Sequence, residues 1–390
     1  MKVIISIEPI RYPLTGIGRY TYELVRQFQS ESTISELKYF SGRKFVHTLP
    51  DMVNDYVDEG ANSLKRKLLG NFKNLLLRNK SIVDMYQGIL PYIQRSALKE
   101  SESYIYHGPN FYLPPAPGKK VVTFHDLSIY THPEFHPSER VRYMRKALKY
   151  TFDHADALIT DSEYTRNEVI SYFGYPANKV FSVPLASAAE FRPRSHNEIS
   201  PILSEYAITL GEYSLYVGTI EPRKNLDVLI QAYSRLPMEL RRRWPLILAG
   251  YRGWKSESIH QKIKKAEHEG WARYIGFTPA EHLPVLFSGA RLFVFPSRYE
   301  GFGLPVLEAL SSGVPVVCSN SSSLPEVTGN CALTSDPDDV DMLTSNIRRG
   351  LEDDIWRKRS IEDGFIQSQK FSWTRCAQET LNVYRSIGSK

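Results

Sequence analysis

The chain has 390 residues, 42% hydrophobic and 24% charged, with a formal net charge of +6. That length exceeds one comfortable core and points to about two domains, and no apolar run approaches the roughly 18 residues that cross a bilayer, which excludes an integral membrane protein. The three cysteines, Cys318, Cys331 and Cys376, have neither disulfide-framework nor metal-ligand spacing, which fits a reducing cytoplasm.

The opening "MKVIISIEPIRYP" has one lysine and a short apolar run broken by Glu8 and Pro9, so it reads as a first strand and not as an export signal. "TGIGRY" follows and opens a helix over residues 18–28. Its G-x-G resembles a dinucleotide fingerprint, but Thr21 stands where the third glycine belongs, which argues against a hydride-transferring dehydrogenase. Residues 61–82 carry Lys65, Arg66, Lys67, Lys73, Arg78 and Lys80 with no acid, beside Leu64, Leu68, Phe72, Leu75 and Leu76 at helical spacing. Such a helix suits anionic headgroups at a membrane surface, or equally packs on the core with its lysines in water. Nucleic acid is not expected, because no helix-turn-helix, finger or ribonucleoprotein pattern accompanies the charge.

"YIYH", "KKVVTFH" and "DALITDS" read as further strands, with helices over 137–152 and 163–173. His125 and Asp126 in "TFHDL" end a strand, where functional groups collect in α/β sheets; "YHGPN" is a turn bearing His107 and Asn110. Periodicity fades over 184–208, the expected linker. A second series then runs "YSLYVGT", "PLILAG", "RYIGF", "ARLFVFPS" and "PVVCS", each trailed by a helical segment. The fold class is therefore α/β, with two doubly wound, Rossmann-like domains facing a cleft. The expected divisions are 1–200, 209–371 and a terminal helix 372–390.

Two segments of the second half carry chemistry. In "YVGTIEPRKNLDVLI", Arg223 and Lys224 stand just before a helix, where cations oppose the dipole unless an anion sits between them. In "RYEGFGLPVLEAL", the amides of Phe302, Gly303 and Leu304 lie at a glycine turn before a helix opening at Pro305, a setting for phosphate. A carboxylate one turn further on, Glu308, would repel phosphate, but it can take the two hydroxyls of a ribose. Glu300, on the other side of the turn, suits the hydroxyls of a sugar hung from the distal phosphate.

"YVGTIEPRKNLDVLIQAY" with "FPSRYEGFGLPVLEALSSGVPVVCSN" resembles the retaining nucleotide-sugar glycosyltransferases of family four, which have the GT-B fold; "TGIGRYTYEL", "YHGPNFYLPP", "VVTFHDL" and "LITDSEYTRNEV" extend the likeness over most of the chain. Within the family the sequence is most similar to bacterial mannosyltransferases of O-antigen or capsular polysaccharide. The resemblance implies ribose binding by Glu308, donor-sugar contact by Glu300, diphosphate binding by Lys224, and hydroxyl and phosphate contacts from Phe302, Gly303 and Leu304. It places Gly16 and Gly18 across the cleft near the donor, His125 near the donor sugar, and Tyr20, His107, Asn110 and Asp126 toward the acceptor. Many members carry an arginine where this chain has Thr219, so Arg223 is either its substitute or a neighbour.

The implied reaction moves a sugar, mannose from GDP-mannose, to a hydroxyl of a polyprenyl-linked oligosaccharide with the anomeric configuration kept. His125, Arg223, Lys224 and Glu300 are the expected catalytic set. Fixed cations and amides would stabilise the charge growing on the departing phosphate, so no metal and no cofactor is expected. The D-x-D at Asp336 to Asp338 reads as a helix-capping turn. A two-carboxylate glycosidase mechanism is disfavoured, because a ribose-binding Glu308 cannot also flank the scissile bond. Competing readings are another donor (UDP-glucose, UDP-N-acetylglucosamine or a deoxysugar nucleotide), a GT-B epimerase or phosphorylase, and a non-enzymatic nucleotide-sugar sensor. The expected location is the cytoplasm, with peripheral attachment to the inner face of the plasma membrane through residues 61–82.

Overall fold

The protein is represented by a computed structural model that describes residues 1–14, 16–50 and 80–388, with side chains from 89 onward in the last span. The basic stretch 61–82 lies outside the residues whose side chains are described.

Short runs rich in apolar residues, several of them buried at every position, form two sheets. The first takes β1 (Lys2–Ser6), β2 (Glu36–Phe40), β3 (Phe45–Val46), β4 (Ile105–Gly108), β5 (Lys119–Phe124), β6 (Ala157–Thr160) and β7 (Val180–Ser182) in the order β3-β2-β1-β4-β5-β6-β7. All neighbours are parallel except the β2–β3 pair. The second takes β8 (Ser214–Val217), β9 (Leu246–Ala249), β10 (Ala272–Gly276), β11 (Leu292–Phe295), β12 (Val316–Ser319) and β13 (Leu333–Ser335) in the all-parallel order β10-β9-β8-β11-β12-β13.

Alternation sends successive strand residues to opposite faces. Ile4, Val122, Phe124 and Leu158 pack with Met144 and Leu148 of the helix Ser138–His154, while Val3, Ile5, Val121 and Ile159 share a cluster with Tyr20, Leu24 and Phe28 of the helix Gly16–Gln29. The C-terminal helix Trp373–Gly388 lies against that first helix and buries Leu381 and Tyr384 in the same cluster.

The stretch expected to be a linker contains a helix, His196–Glu205. Ser195 and Glu198 close a capping box at its start, and Ile199 and Leu203 are buried against the helix Leu283–Ser288. A boundary at 200 would cut this helix, which packs on the helix Leu283–Ser288 of the second half.

Strand order fixes where a ligand can sit. In each sheet the chain enters at a central strand and winds outward both ways, so the reversal points lie between β1 and β4 and between β8 and β11. Crevices form beyond the carboxyl ends of such strand pairs. The segments that follow these four strands hold Gly16, Asn110, Lys224 and Glu300.

Candidate active site

After β8 the chain makes a short 3-10 turn, Pro222–Lys224, and Asn225, at φ 59°, leads into the helix Leu226–Ser234. Asn225 Nδ2 donates to the carbonyls of Pro296 at 3.0 Å and Pro337 at 2.7 Å, and Arg298 N donates to Arg223 O at 2.9 Å. The loops beyond β8 and β11 are thereby joined, which sets Glu300 against both cations. Lys224 Nζ donates to Glu300 Oε1 at 2.6 Å, and Arg223 Nη1 donates to Glu300 Oε2 at 3.1 Å and to Tyr299 O at 2.8 Å.

Burial works against a charge on Glu300, but Lys224 and then Arg223 outweigh it and hold the carboxyl below its usual pKa. Burial and the adjacent guanidinium pull Lys224 down, with Glu300 opposing them. The cations thus do not stand free before an open anion site, as the sequence suggests. Charges this deep need counter-ions, and Glu300 is the shared one.

Beyond Glu300 the turn is tied down from both sides. Ser323 Oγ donates to the carbonyls of Glu300 at 2.9 Å and Phe302 at 2.8 Å. From the first domain, Ser162 Oγ donates to Gly301 O at 2.7 Å and Thr165 Oγ1 at 3.2 Å. With the carbonyls engaged, the amides of Phe302, Gly303 and Leu304 make no hydrogen bond among the described residues. Gly303 has φ +106°, a conformation side chains avoid, and caps the helix Leu304–Ser311. The arrangement is a helix start with unspent donors.

Glu308 is half-buried on that helix, and its carboxylate has no hydrogen-bond partner among the described residues. Burial pushes its carboxyl up to about 8, against a weaker pull from Arg19 across the cleft. Arg19 also borders a groove of about 1000 Å³ with Tyr22, Glu23, Glu190 and Trp373. Neither Glu300 nor Lys224 lines that groove, so it adjoins the candidate site without forming it.

The first domain departs more from expectation. His125 is buried, with Nδ1 2.8 Å from Asp161 Oδ2 and Nε2 2.8 Å from Pro109 O. Two acceptors flank the ring; burial disfavours its charge, yet Asp161 and these hydrogen bonds prevail and the pKa is raised. No ring nitrogen is left over for a substrate in this arrangement. Asp126, half-buried, spends Oδ1 on the amide and hydroxyl of Ser128, at 2.9 and 2.7 Å.

Two expected acceptor residues are corrected. His107 and Tyr20 are 0% and 1% exposed and belong to a buried chain: Tyr384 OH lies 2.6 Å from His107 Nδ1, His107 Nε2 lies 2.8 Å from Thr123 Oγ1, and Tyr20 OH lies 2.9 Å from Thr123 Oγ1. Burial lowers His107 to about 3, so it is a neutral core histidine. Gly18 is likewise a packing glycine, since a β-carbon there would stand 2.8 Å from Pro9 O. Gly16 is exposed and has open space around it, and Asn110 is half-buried at the loop after β4.

The sequence reading missed Glu221, Tyr299 and the Asp161–Ser162 pair. Glu221 Oε1 receives Arg223 Nε at 3.1 Å and Nη2 at 3.0 Å. Tyr299 OH accepts from Leu127 N at 3.0 Å and donates to Glu168. The signals available were an acid two residues before Arg223, an aromatic beside Glu300, and "TDS" at a strand end. Asp338 pairs with Arg298, and Asp339 caps the helix Val340–Glu352.

Comparison with known proteins bears on this geometry. The family "Glycosyl transferases group 1" matches residues 208–366, and "Glycosyltransferase Family 4" matches 95–186. O-antigen chain mannosyltransferase B of Escherichia coli is 46% identical over 387 residues, covering 99% of this chain and 100% of that protein. Serotype-specific mannosyltransferase WbdA of Escherichia coli is 35% identical over 280 residues, 70% of this chain and 34% of that protein. Among solved structures, Anabaena HepE in complex with UDP and glucose superposes with a TM-score of 0.72 at 18% identity, covering 99% and 100% of the two chains. WaaG, a glycosyltransferase involved in lipopolysaccharide biosynthesis, gives 0.67 at 14% identity over 98% and 99%.

Proposed function

The chain belongs to the group 1 and family 4 glycosyltransferases and has their GT-B fold, and we propose that it transfers mannose from GDP-mannose, with retention, to a hydroxyl of a polyprenyl-linked oligosaccharide in O-antigen or capsular polysaccharide assembly. The observation that carries the donor half is the juxtaposition of amides at Phe302, Gly303 and Leu304 with the Glu308 carboxylate on the helix they open, neither of which has a hydrogen-bond partner among the described residues. The first set suits a diphosphate and the second a ribose diol. Mannose and the acceptor class are supported by the names of the relatives that cover this chain well.

In this reading the donor's phosphates take Lys224 and Arg223 from Glu300, whose carboxylate turns to the sugar hydroxyls. The bond between the anomeric carbon and the phosphate oxygen breaks, and charge grows on that oxygen beside two fixed cations and the turn amides, without help from a metal. The acceptor hydroxyl attacks the anomeric carbon from the face the phosphate leaves, and the departing phosphate takes its proton. His125 acts by fixing the loop at Pro109, since both its nitrogens are engaged. Gly16 stands open beside the donor, and Asn110 and Asp126 remain toward the acceptor.

Peripheral attachment to the membrane's inner face belongs to the same reading. Among the described residues no helix is long and apolar enough to cross a bilayer. The helix Lys80–Ala97, which continues the basic stretch, exposes Ile89 and Tyr92 at 50% and 75%. An apolar face beside cations is how an interfacial helix binds.

A donor panel of GDP-mannose, UDP-glucose and UDP-N-acetylglucosamine with a lipid-linked mannoside acceptor tests the function. GDP release and an extended acceptor are expected from GDP-mannose alone. Turnover of another donor overturns the mannosyl assignment, and release without acceptor points to hydrolysis or epimerisation. Cosedimentation with phosphatidylglycerol vesicles but not phosphatidylcholine vesicles is expected, and equal behaviour on both contradicts the membrane reading.

A further inference from the structure

Glu221 is 2% exposed and lies within the loop that carries both cations. Its Oε1 takes two edges of the Arg223 guanidinium, at 3.1 Å from Nε and 3.0 Å from Nη2, while Oε2 has no partner among the described residues. The third edge, Nη1, goes to Tyr299 O at 2.8 Å and Glu300 Oε2 at 3.1 Å. Arg223 is therefore held by two carboxylates with different commitments. Glu300 also binds Lys224 and sits at the turn where the donor is read to bind; Glu221 pairs with no cation other than Arg223 among the described residues.

We propose that Glu221 is a positioning residue that keeps the Arg223 guanidinium aimed at the departing diphosphate after Glu300 has let go of it, an inference that rests on the functional reading above. A diphosphate that displaces Glu300 removes one of the guanidinium's fixed partners. Without Glu221 the hydrogen-bond partner left on the guanidinium among the described residues is the Tyr299 carbonyl, with Asp126 acting through its charge alone, and the long arginine side chain regains freedom when orientation counts most. Glu221 has a second consequence. Glu300 and Glu221 place acidic side chains against the two cations, and Asp126 acts on Arg223 as well, so the entering phosphates do not meet free cations. Glu221 thereby limits how tightly the nucleoside diphosphate product is held.

The test is a double-mutant cycle on the full chain, reading kcat, donor KM, and GDP affinity by calorimetry. Glu221→Ala is expected to lower kcat by about tenfold or more with donor KM changed by less than about threefold, and to cost nothing further when added to Arg223→Ala. Glu221→Gln, which keeps an oxygen for Nε but no charge, is expected to recover part of kcat while binding GDP at least about threefold more tightly. If Glu221→Ala fails to fold, the glutamine variant alone decides: tighter GDP binding with reduced kcat supports the proposal. Wild-type kcat in either variant, or an equal loss in the presence and absence of Arg223, overturns it. Turnover by the wild-type protein tests the functional reading separately, whereas coupling seen in GDP affinity bears on Glu221 whichever sugar is transferred.

Discussion

The carbonyl oxygen of His125 occupies the space where a β-carbon on Gly301 would stand, at 1.6 Å. The end of β5 and the turn after Glu300 therefore meet backbone to backbone, and only glycine permits the approach.

Gly301→Ala follows directly from that contact. A methyl group cannot be accommodated by rotating a side chain, because the obstacle is main chain. The turn must retreat from His125, taking Glu300 and the amides of 302–304 with it. Transfer is expected to fall by about a hundredfold, roughly 2.7 kcal/mol in barrier, with the thermal midpoint lowered by only a few degrees. Steady-state kinetics beside a melting curve checks this; an alanine variant with wild-type kcat shows that the turn's position does not matter.

Glu308 makes nucleotide binding depend on pH. In the free protein burial, only partly offset by Arg19, lifts its carboxyl well above the usual carboxylate range, to about 8. Hydrogen bonds from a ribose diol favour the ionised form. Below about 8 the free protein therefore holds a proton that the complex releases, so affinity rises with pH and levels off above that value, by at most about tenfold per unit. Calorimetry of GDP binding at pH 7 in buffers of different ionisation enthalpy is expected to show proton release, and Glu308→Gln to abolish it. Proton uptake, or release that survives in the glutamine variant, contradicts the assignment.

The chain from Tyr384 through His107 and Thr123 to Tyr20 is expected to govern stability and not acceptor affinity. Tyr384→Phe leaves a buried imidazole nitrogen without its hydrogen-bond partner, which costs about 1–3 kcal/mol. Denaturant titration is expected to show that loss with acceptor KM within about twofold of wild type. An unchanged midpoint with a raised acceptor KM restores His107 to the acceptor site.

The second-half motifs were legible because they combine signals that ordinary folding does not require together. Glycines, a helix-opening proline and two acids beside cations are an unusual combination for a loop, and the fold brings Lys224 against Glu300 and puts Glu308 on the helix after the turn, with the cations paired instead of open. The strands before them were legible for a simpler reason, since strands such as β9 and β11 are short apolar runs bounded by turn residues. The His196–Glu205 helix was hidden because Ser195, Pro201 and charged residues mimic a linker, although its capping box was in plain view. Tyr20 and His107 were misassigned because their partner, Tyr384, lies 277 residues beyond His107. No local pattern records that burial, and a polar residue near a strand end looks the same whether it faces a cleft or a core. Glu221 went unnoticed because its meaning depends on the conformation of Arg223, which spacing does not specify.

A crystal structure with GDP-mannose bound is the decisive measurement. The diphosphate is expected on Lys224, Arg223 and the amides of 302–304, the ribose hydroxyls on Glu308, and Glu300 turned from the cations to the sugar. A nucleoside lodged elsewhere, with Glu300 still bridging Lys224 and Arg223, would contradict it.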